Sequence, residues 1–73
     1  MEQEQVYTGK ISFVNIGRGY GFISQPDNTS IFFHMSNVGG IEFADLKKEM
    51  EVEYLIKETK KGHEAYGVLV KNE

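Results

Sequence analysis

Breaks in regular structure occur at short intervals along this chain, and their spacing is the strongest constraint on its fold. Clusters that contain glycine, proline, asparagine or threonine lie at residues 16–19, 25–29, 39–40 and 59–62. Glycine and proline are the residues that most often interrupt a helix or a strand. The stretches between the breaks are short and rich in β-branched and aromatic residues, which is the pattern of strands. The sequence therefore predicts an all-β protein.

Five of these stretches are predicted to be strands. They cover about residues 6–15, 20–24, 30–35, 50–57 and 64–70. Gly9 marks a bend or bulge in the first, and alternation places Tyr66, Val68 and Val70 on one face of the last. The helical content expected is one turn near residues 44–48. Five strands without a substantial helix predict a small antiparallel barrel, because closure removes exposed sheet edges.

The composition restricts the function classes open to the chain. Its 73 residues suffice for one domain, which we expect to span residues 1–73 with an ordered barrel over about 5–71. There is no cysteine, and the two histidines have no carboxylate cluster beside them, so we expect no disulfide, metal or other cofactor. The net charge of −3 argues against binding nucleic acid mainly through charge, but not against binding by base stacking.

The ends of the chain and its hydropathy bear on location. The N-terminal residues are acidic and polar. No apolar run approaches the about 20 residues that a membrane helix needs. We therefore expect neither a secretory signal nor a membrane span, and a cytoplasmic location.

Aromatic residues concentrate in GRGYGFISQPDNTSIFFHM, residues 17–35. Side chains alternate between the two faces of a strand. Tyr20 and Phe22 therefore share one face of the second strand, and Phe32 and His34 share one face of the third. The opposite faces carry Ile23, Ile31, Phe33 and Met35. If the turn pairs the two strands antiparallel, the four outward rings form one patch.

Two interpretations of this patch compete. In the first, both faces of the strands are buried, but a chain of this length has hardly a second layer to cover the outer face. In the second, the rings form an exposed platform on which bases stack, at about 1–3 kcal/mol for each ring. A phosphate-binding loop at residues 17–21 is disfavoured, because no helix pattern and no Gly-Lys-Ser/Thr follow it.

Several motifs now resemble those of the cold-shock domain family. RGYGFI at residues 18–23 is similar to the KGFGFI ribonucleoprotein motif of that family, and IFFHM at 31–35 resembles its second motif, VFVHF. GKISFVN at 9–15 resembles the opening pattern Gly-x-Val-Lys-Trp-Phe-Asn. Residues 36–43 and 62–68 follow the family's loop and its last turn and strand. The resemblance covers nearly the whole chain.

The resemblance implies a five-stranded antiparallel barrel of the oligonucleotide/oligosaccharide-binding type, an OB-fold, that holds single-stranded RNA or DNA and acts as an RNA chaperone. Carried over position by position, the base-stacking residues would be Phe13, Tyr20, Phe22, Phe32, His34 and Phe43. Lys10 and Arg18 would contact phosphates. Lys60 and Lys61, on the last turn, would either border the same face or simply be solvated.

Departures from the family pattern predict weaker binding than in a member with all its aromatic residues. Phe13 replaces a tryptophan, Ser12 a lysine, and Val14 a phenylalanine. Met35 replaces an aromatic residue, although its thioether can still touch a base. His63 stands where many relatives have proline, and would either add a ring or point into solvent.

The interpretation favoured by the sequence is a single-stranded nucleic-acid-binding chaperone, expected to be a monomer, with a strand-swapped dimer left open. The alternative is a protein-interaction module that uses the same aromatic face. Catalysis is not expected, because His34 has only Ser30 and Ser36 near it and no paired carboxylates fall within the patch. No small-molecule substrate is expected either.

Overall fold

The computed structural model describes residues 5–71, so residues 1–4 and 72–73 of the expected domain lie outside the described residues. The strands are β1 (Tyr7–Asn15), β2 (Tyr20–Ser24), β3 (Ser30–His34), β4 (Val38–Gly39), β5 (Glu51–Thr59) and β6 (Gly62–Val70). Two short 3₁₀ turns cover Met35–Asn37 and Phe43–Asp45. The five long strands match the predicted ones in number and place, and β4 is a two-residue addition at the sheet edge.

The five long strands close into a barrel. Their order is β3-β2-β1-β5-β6, and β6 pairs with β3 to complete the ring. The sequence-neighbouring pairs and the β1–β5 pair are antiparallel, whereas the closing pair is parallel, with Phe32 opposite Glu64 and Phe33 opposite Ala65. The closed all-β barrel predicted from the sequence is confirmed, and it leaves few open edges.

The core is formed by side chains that point into this barrel from every long strand, together with Leu46, which follows the second 3₁₀ turn. Its buried members are Ile11, Ile23, Ile31, Phe33, Leu46, Val52, Tyr54, Ala65 and Val68. In β2 and β3 the buried residues alternate with half-buried ones, as expected for strands with one face inside. The inward placement predicted for Ile23, Ile31 and Phe33 is therefore confirmed.

The irregularity of β1 lies at a different residue from the one predicted. Gly9 pairs regularly with Val52, whereas the β1–β2 register shifts between Ile11 and Phe13. A shift of this kind is a β-bulge, which inserts one residue into one strand. Gly9 is required for another reason: a Cβ there would lie 2.7 Å from Cγ2 of Ile23, so the two strands could not approach as they do.

Strand β6 also departs from simple alternation. The prediction that Tyr66, Val68 and Val70 share a face is wrong for Tyr66, because Ala65 and Val68 are the residues buried in the core. Gly67 lies between them with φ +59°, and the β5–β6 register shifts at the same level. This backbone conformation favours glycine and moves the side chains on either side of it out of strict alternation.

Strand β3 ends one residue earlier than predicted. Met35 starts the first 3₁₀ turn and leaves 48 % of its surface exposed, so it does not share the buried face of Ile31 and Phe33 on which alternation placed it. Its backbone N–H donates to the carbonyl of Gly19, which ties the end of β3 to the turn before β2. The second short turn, Phe43–Asp45, lies close to the single helical turn expected near residues 44–48.

Candidate functional site

Four aromatic rings meet on the outer side of β1, β2 and β3. Their centroids are 5.8–6.3 Å apart in five contacting pairs. Tyr20 and Phe32 are stacked with 27° between their planes, whereas Phe22 meets both of them edge to face. We call the set Phe13, Tyr20, Phe22 and Phe32 the ring platform. Separations of 4.5–7 Å are those at which aromatic pairs attract one another, so the rings hold each other in place.

The bulge in β1 is what brings Phe13 to this platform. Regular pairing beyond Ile11 and Ile23 would set Ser12 opposite Phe22, but the shifted register sets Phe13 there instead. Ser12 still contributes, because its hydroxyl donates to the carbonyl of Phe22 at 3.2 Å. Phe13 is 43 % exposed, whereas the other three platform rings are half-buried. The platform therefore offers ring surface to the solvent side.

His34 lies at one end of the platform, opposite Tyr20 in the β2–β3 ladder. Its Nδ1 accepts the backbone N–H of Ser36 at 3.1 Å and lies 2.9 Å from the Ser36 hydroxyl. This bond caps the first 3₁₀ turn and fixes the ring orientation. An accepting Nδ1 leaves the proton of a neutral imidazole on Nε2, which makes Nε2–H available as a donor.

Basic side chains border the platform at both ends. Lys10 lies opposite Ser24, two pairs beyond the Phe13–Phe22 pair, and is exposed. Arg18 lies in the turn that leads into Tyr20, where its backbone N–H donates to the Asn15 side chain at 3.0 Å. Lys10 therefore lies on the strand that carries Phe13, and Arg18 lies in the turn that precedes Tyr20.

The β5–β6 turn forms a third side of the platform. A groove of about 580 Å³ is lined by Phe32, Thr59, Lys60, Lys61, His63 and Glu64. The structure therefore places Lys61 and His63 along one groove with the platform ring of Phe32. His63 is exposed, and its Nε2 lies 3.5 Å from the carboxylate of Glu58. That contact joins His63 to the residue opposite it in the β5–β6 ladder.

Two of the predicted site residues are not among the four rings of the platform. Phe43 meets the core residue Phe33, with centroids 6.2 Å apart, and is partly buried against the core. Met35 is exposed beside Gly19, at the outer end of the turn before β2. Phe43 therefore packs against the core, and Met35 is exposed at the turn that leads into the platform residue Tyr20.

Two residues near the site were not identified from the sequence. Glu64 lies beside Phe32 because β3 and β6 pair, and its carboxylate accepts from the Asn37 amide at 3.2 Å. No local sequence pattern pointed to this contact, since it depends on how the barrel closes. Ser36 was considered only as a partner in catalysis, whereas in the structure it orients His34. The spacing His-x-Ser at the end of a strand was the sequence signal that could have indicated this contact.

Two groups with shifted pKa values lie in the β2–β3 loop and in β5. Hydrogen bonds from the hydroxyl and the backbone N–H of Thr29 lower the pKa of Asp27, in the loop between β2 and β3. Burial raises the pKa of Tyr54, with a smaller contribution from the charge of Asp27. Tyr54 donates to Gln25 Oε1 at 2.9 Å and so ties β5 to that loop.

Residues 5–71 hold neither a cluster of metal-ligating side chains nor a helix that could span a membrane. No group of three or more histidine, aspartate or glutamate side chains is placed there to hold a metal ion. No helix in the same described part of the chain is long and apolar enough to cross a membrane.

Comparison with known proteins agrees with this geometry. The family described as "'Cold-shock' DNA-binding domain" matches residues 7–71. A cold shock-like protein of Thermotoga maritima is 37 % identical over 62 residues, which are 85 % of this chain and 94 % of that protein. Cold shock-like protein CspB of Yersinia pestis is 33 % identical over 63 residues, 85 % of this chain and 90 % of the relative. Probable cold shock protein A of Mycobacterium tuberculosis is 33 % identical over 61 residues, 82 % and 91 % of the two chains.

The family match covers all six strands, both short turns and every predicted site residue. The relatives are matched over at least nine-tenths of their own length, so the similarity concerns whole proteins and not a shared fragment. This family generally binds single-stranded nucleic acids and is not enzymatic. The chain belongs to the cold-shock domain family.

Proposed function

We propose that this protein binds single-stranded RNA and DNA by stacking bases on the ring platform, and that it acts as an RNA chaperone. The observation that carries the proposal is the cluster of four mutually contacting rings left partly exposed on the outer side of the barrel. Each ring that stacks on a base contributes about 1–3 kcal/mol, whatever the base, because every base has an aromatic face. His34 and the basic border would add polar contacts.

The charge distribution supports binding in which stacking outweighs ionic attraction. The whole chain carries −3, yet the cations nearest the rings are Lys10, Arg18, Lys60 and Lys61. These few residues would neutralise on the order of one to three phosphates. The salt dependence of binding should therefore be small. A shallow, open surface of this kind also favours rapid exchange of the bound strand.

Such a mode of binding would suit a chaperone that does not hydrolyse a nucleotide. A protein that binds only the open strand shifts a hairpin equilibrium towards that strand by mass action. Rapid release would then let the RNA refold or pass to another partner. The monomeric state and the cytoplasmic location expected from the sequence remain predictions.

The binding proposal is tested by fluorescence anisotropy with labelled pyrimidine-rich and mixed heptamers. Saturable binding is expected at micromolar protein, with a log–log salt slope of about −0.7 to −2, since each phosphate on a single strand contributes about −0.7. A fully paired duplex of the same sequence serves as the control and should bind more weakly, because its bases are already stacked. Absence of binding to every heptamer would show the proposal to be wrong.

The role of the basic border is tested with the double variant Lys10→Glu and Arg18→Glu. It should weaken binding strongly and reduce the salt slope, because two cations beside the rings become anions. The matched control is Lys47→Glu with Lys48→Glu, two exposed lysines in the segment before β5. Equal effects of the two double variants would show that only net charge matters, against the assignment of Lys10 and Arg18.

The chaperone proposal is tested with an RNA hairpin that carries a fluorophore and a quencher at its ends. Addition of the protein should raise the fluorescence at a temperature below the melting point of the hairpin, in proportion to occupancy of the open strand. If the protein bound open heptamers but did not open the hairpin, it would be a single-strand-binding protein, and the chaperone proposal would be wrong.

A further inference from the structure

Glu64 lies immediately beside the ring platform. It pairs with Phe32 across the parallel junction of β3 and β6, and the next pair in that ladder, Phe33 with Ala65, is buried in the core. Because side chains alternate along a strand, Phe32 and Glu64 both point to the outer side. Both also line the groove below the β5–β6 turn. A base stacked on Phe32 would therefore have its edge near the Glu64 carboxylate.

The Glu64 carboxylate is held in position by its surroundings. Its Oε2 accepts from the side-chain amide of Asn37 at 3.2 Å, and Asn37 itself lies in the 3₁₀ turn that follows β3. Glu64 is half-buried. A side chain fixed in this way loses little conformational freedom when it binds a ligand, which is the general advantage of preorganisation.

The neighbouring charged groups make contacts of their own. Lys57 lies opposite Glu64 in the β5–β6 ladder, but its ammonium lies 5.6 Å from the ring centroid of Tyr66. The imidazole of His63 contacts Glu58. A carboxylate has about four acceptor positions, and the Asn37 amide occupies one of them. The carboxylate therefore keeps capacity to accept further hydrogen bonds from a ligand.

The chemistry of a carboxylate discriminates between bases. An ionised carboxylate accepts hydrogen bonds and donates none. The 4-position of cytosine is an amino group that donates, whereas the 4-position of uracil or thymine is a carbonyl that accepts. A carboxylate placed against that position attracts the amino group of cytosine and repels the carbonyl of uracil or thymine. A glutamine side chain would tolerate both, since it carries a donor and an acceptor.

We propose that Glu64 determines base specificity: held by Asn37, its carboxylate accepts a hydrogen bond from the exocyclic amino group of the base stacked on Phe32, so the protein prefers cytosine to uracil. The proposal rests on the proposed function and concerns the same surface. Lys60 and Lys61, which line the same groove, offset the repulsion between Glu64 and the phosphates of the strand. The carboxylate thus selects among bases while the lysines hold the backbone.

The test compares the Kd values of labelled C7 and U7 RNA heptamers at pH 7.5. The wild-type protein should bind C7 about tenfold more tightly than U7, the effect of one good base-edge contact. In Glu64→Gln that ratio should fall to about one- to threefold, because the amide serves either base. An equal affinity of the wild type for both heptamers would overturn the proposal, as would an undiminished preference in Glu64→Gln.

Two controls separate hydrogen bonding from charge. Glu58→Gln removes the same charge from an exposed position on the same hairpin. It should change both Kd values by a similar factor and leave their ratio unchanged. A heptamer of N4,N4-dimethylcytidine keeps a stacking ring but lacks the amino protons, so its affinity should fall to that of U7 or below. Retention of C7-like affinity by this heptamer would contradict the proposal.

The outcomes also distinguish this proposal from the proposed function. If both heptamers bind with equal affinity, single-strand binding stands and only the assignment of Glu64 is wrong. If neither heptamer binds, the proposed function is wrong and the assignment of Glu64 with it.

Discussion

The two faces of the β2–β3 hairpin are built from similar side chains but serve different purposes. The inner face carries Ile23, Ile31 and Phe33, all of them buried among residues from other strands. The outer face carries Phe22 and Phe32, which contact chiefly other rings and remain half-exposed. The two faces differ in what covers them. The chain itself covers the inner one, and the outer one has surface left for a ligand.

This difference separates stability from binding within one short element. Burial of apolar area stabilises a fold by about 25 cal/mol per Å², so a fully buried ring contributes much more than a half-exposed one. A stacking base would supply the missing cover on the outer face and gain the corresponding free energy. Phe32 and Phe33 are adjacent in sequence and face opposite sides, so they provide a direct test.

The largest effect is expected from Phe33→Ala on stability. Phe33 is completely buried, and removal of such a ring costs about 3–5 kcal/mol through lost burial and the cavity left behind. A single core in a chain of this size rarely supplies more than about 3–5 kcal/mol in total. The variant should therefore be largely unfolded at 25 °C, as measured by circular dichroism and urea titration.

Phe33→Leu is the milder form of the same experiment. It should remain folded but with a lower urea midpoint, and its affinity for a heptamer should be close to that of the wild type when measured without denaturant. A folded Phe33→Ala protein of wild-type stability would show that the inner face is not the main source of stability. A folded variant with selectively impaired binding would contradict the separation of the two faces.

The next effect is expected from Phe32→Ala on binding. Loss of one stacking ring should weaken heptamer affinity by about 1–3 kcal/mol, or roughly five- to 150-fold. The cost in stability should be smaller than that of Phe33→Ala, since Phe32 is half-buried and packs against Tyr20 and Phe22. Paired anisotropy and urea measurements on both variants give the comparison.

The matched control is a ring-to-alanine change outside the ring platform. Tyr66→Ala removes a half-buried ring that lies near Lys57 on the β5–β6 face and is not one of the four platform rings. Its effect on heptamer affinity should be small. If Tyr66→Ala and Phe32→Ala weakened binding equally, the site would not be confined to the platform.

Much of the difference between the inner and outer faces of the β2–β3 hairpin was predictable from the sequence. Strict alternation through residues 20–24 and 30–34 gave the correct face for every ring in β2 and β3, because both strands are regular. The closed barrel was likewise predictable from five short strands and their turns. Alternation failed at Met35, because the strand ends one residue before it. The end of a strand depends on capping contacts, here those of His34 and Ser36.

The positions of Phe13 and Glu64 depended on how the strands pair, which no local sequence pattern shows. Alternation along β1 would put Phe13 on the same face as Ile11, and the bulge between them reverses this. A bulge adds one residue to a strand and leaves its composition unchanged, so only the resemblance placed Phe13 at the site. Glu64 was missed because β3 and β6 are distant in sequence and meet only when the barrel closes.

The smallest effect is expected at Tyr54, an inner ring with a polar end. Tyr54→Phe keeps the packing but removes the hydrogen bond to Gln25, which should cost about 1 kcal/mol at pH 7 in a urea titration. Burial raises the pKa of Tyr54 above its ordinary value of 10.0. Above that pH the unfolded state releases its proton before the folded state does, so this contribution to stability declines as pH rises. The difference in free energy of unfolding between the wild type and Tyr54→Phe should therefore narrow above pH 10. Heptamer affinity at pH 7 should stay unchanged. A constant difference across that range would show that the hydroxyl is not protected by burial, and a loss of affinity would show that the inner face and the platform are coupled.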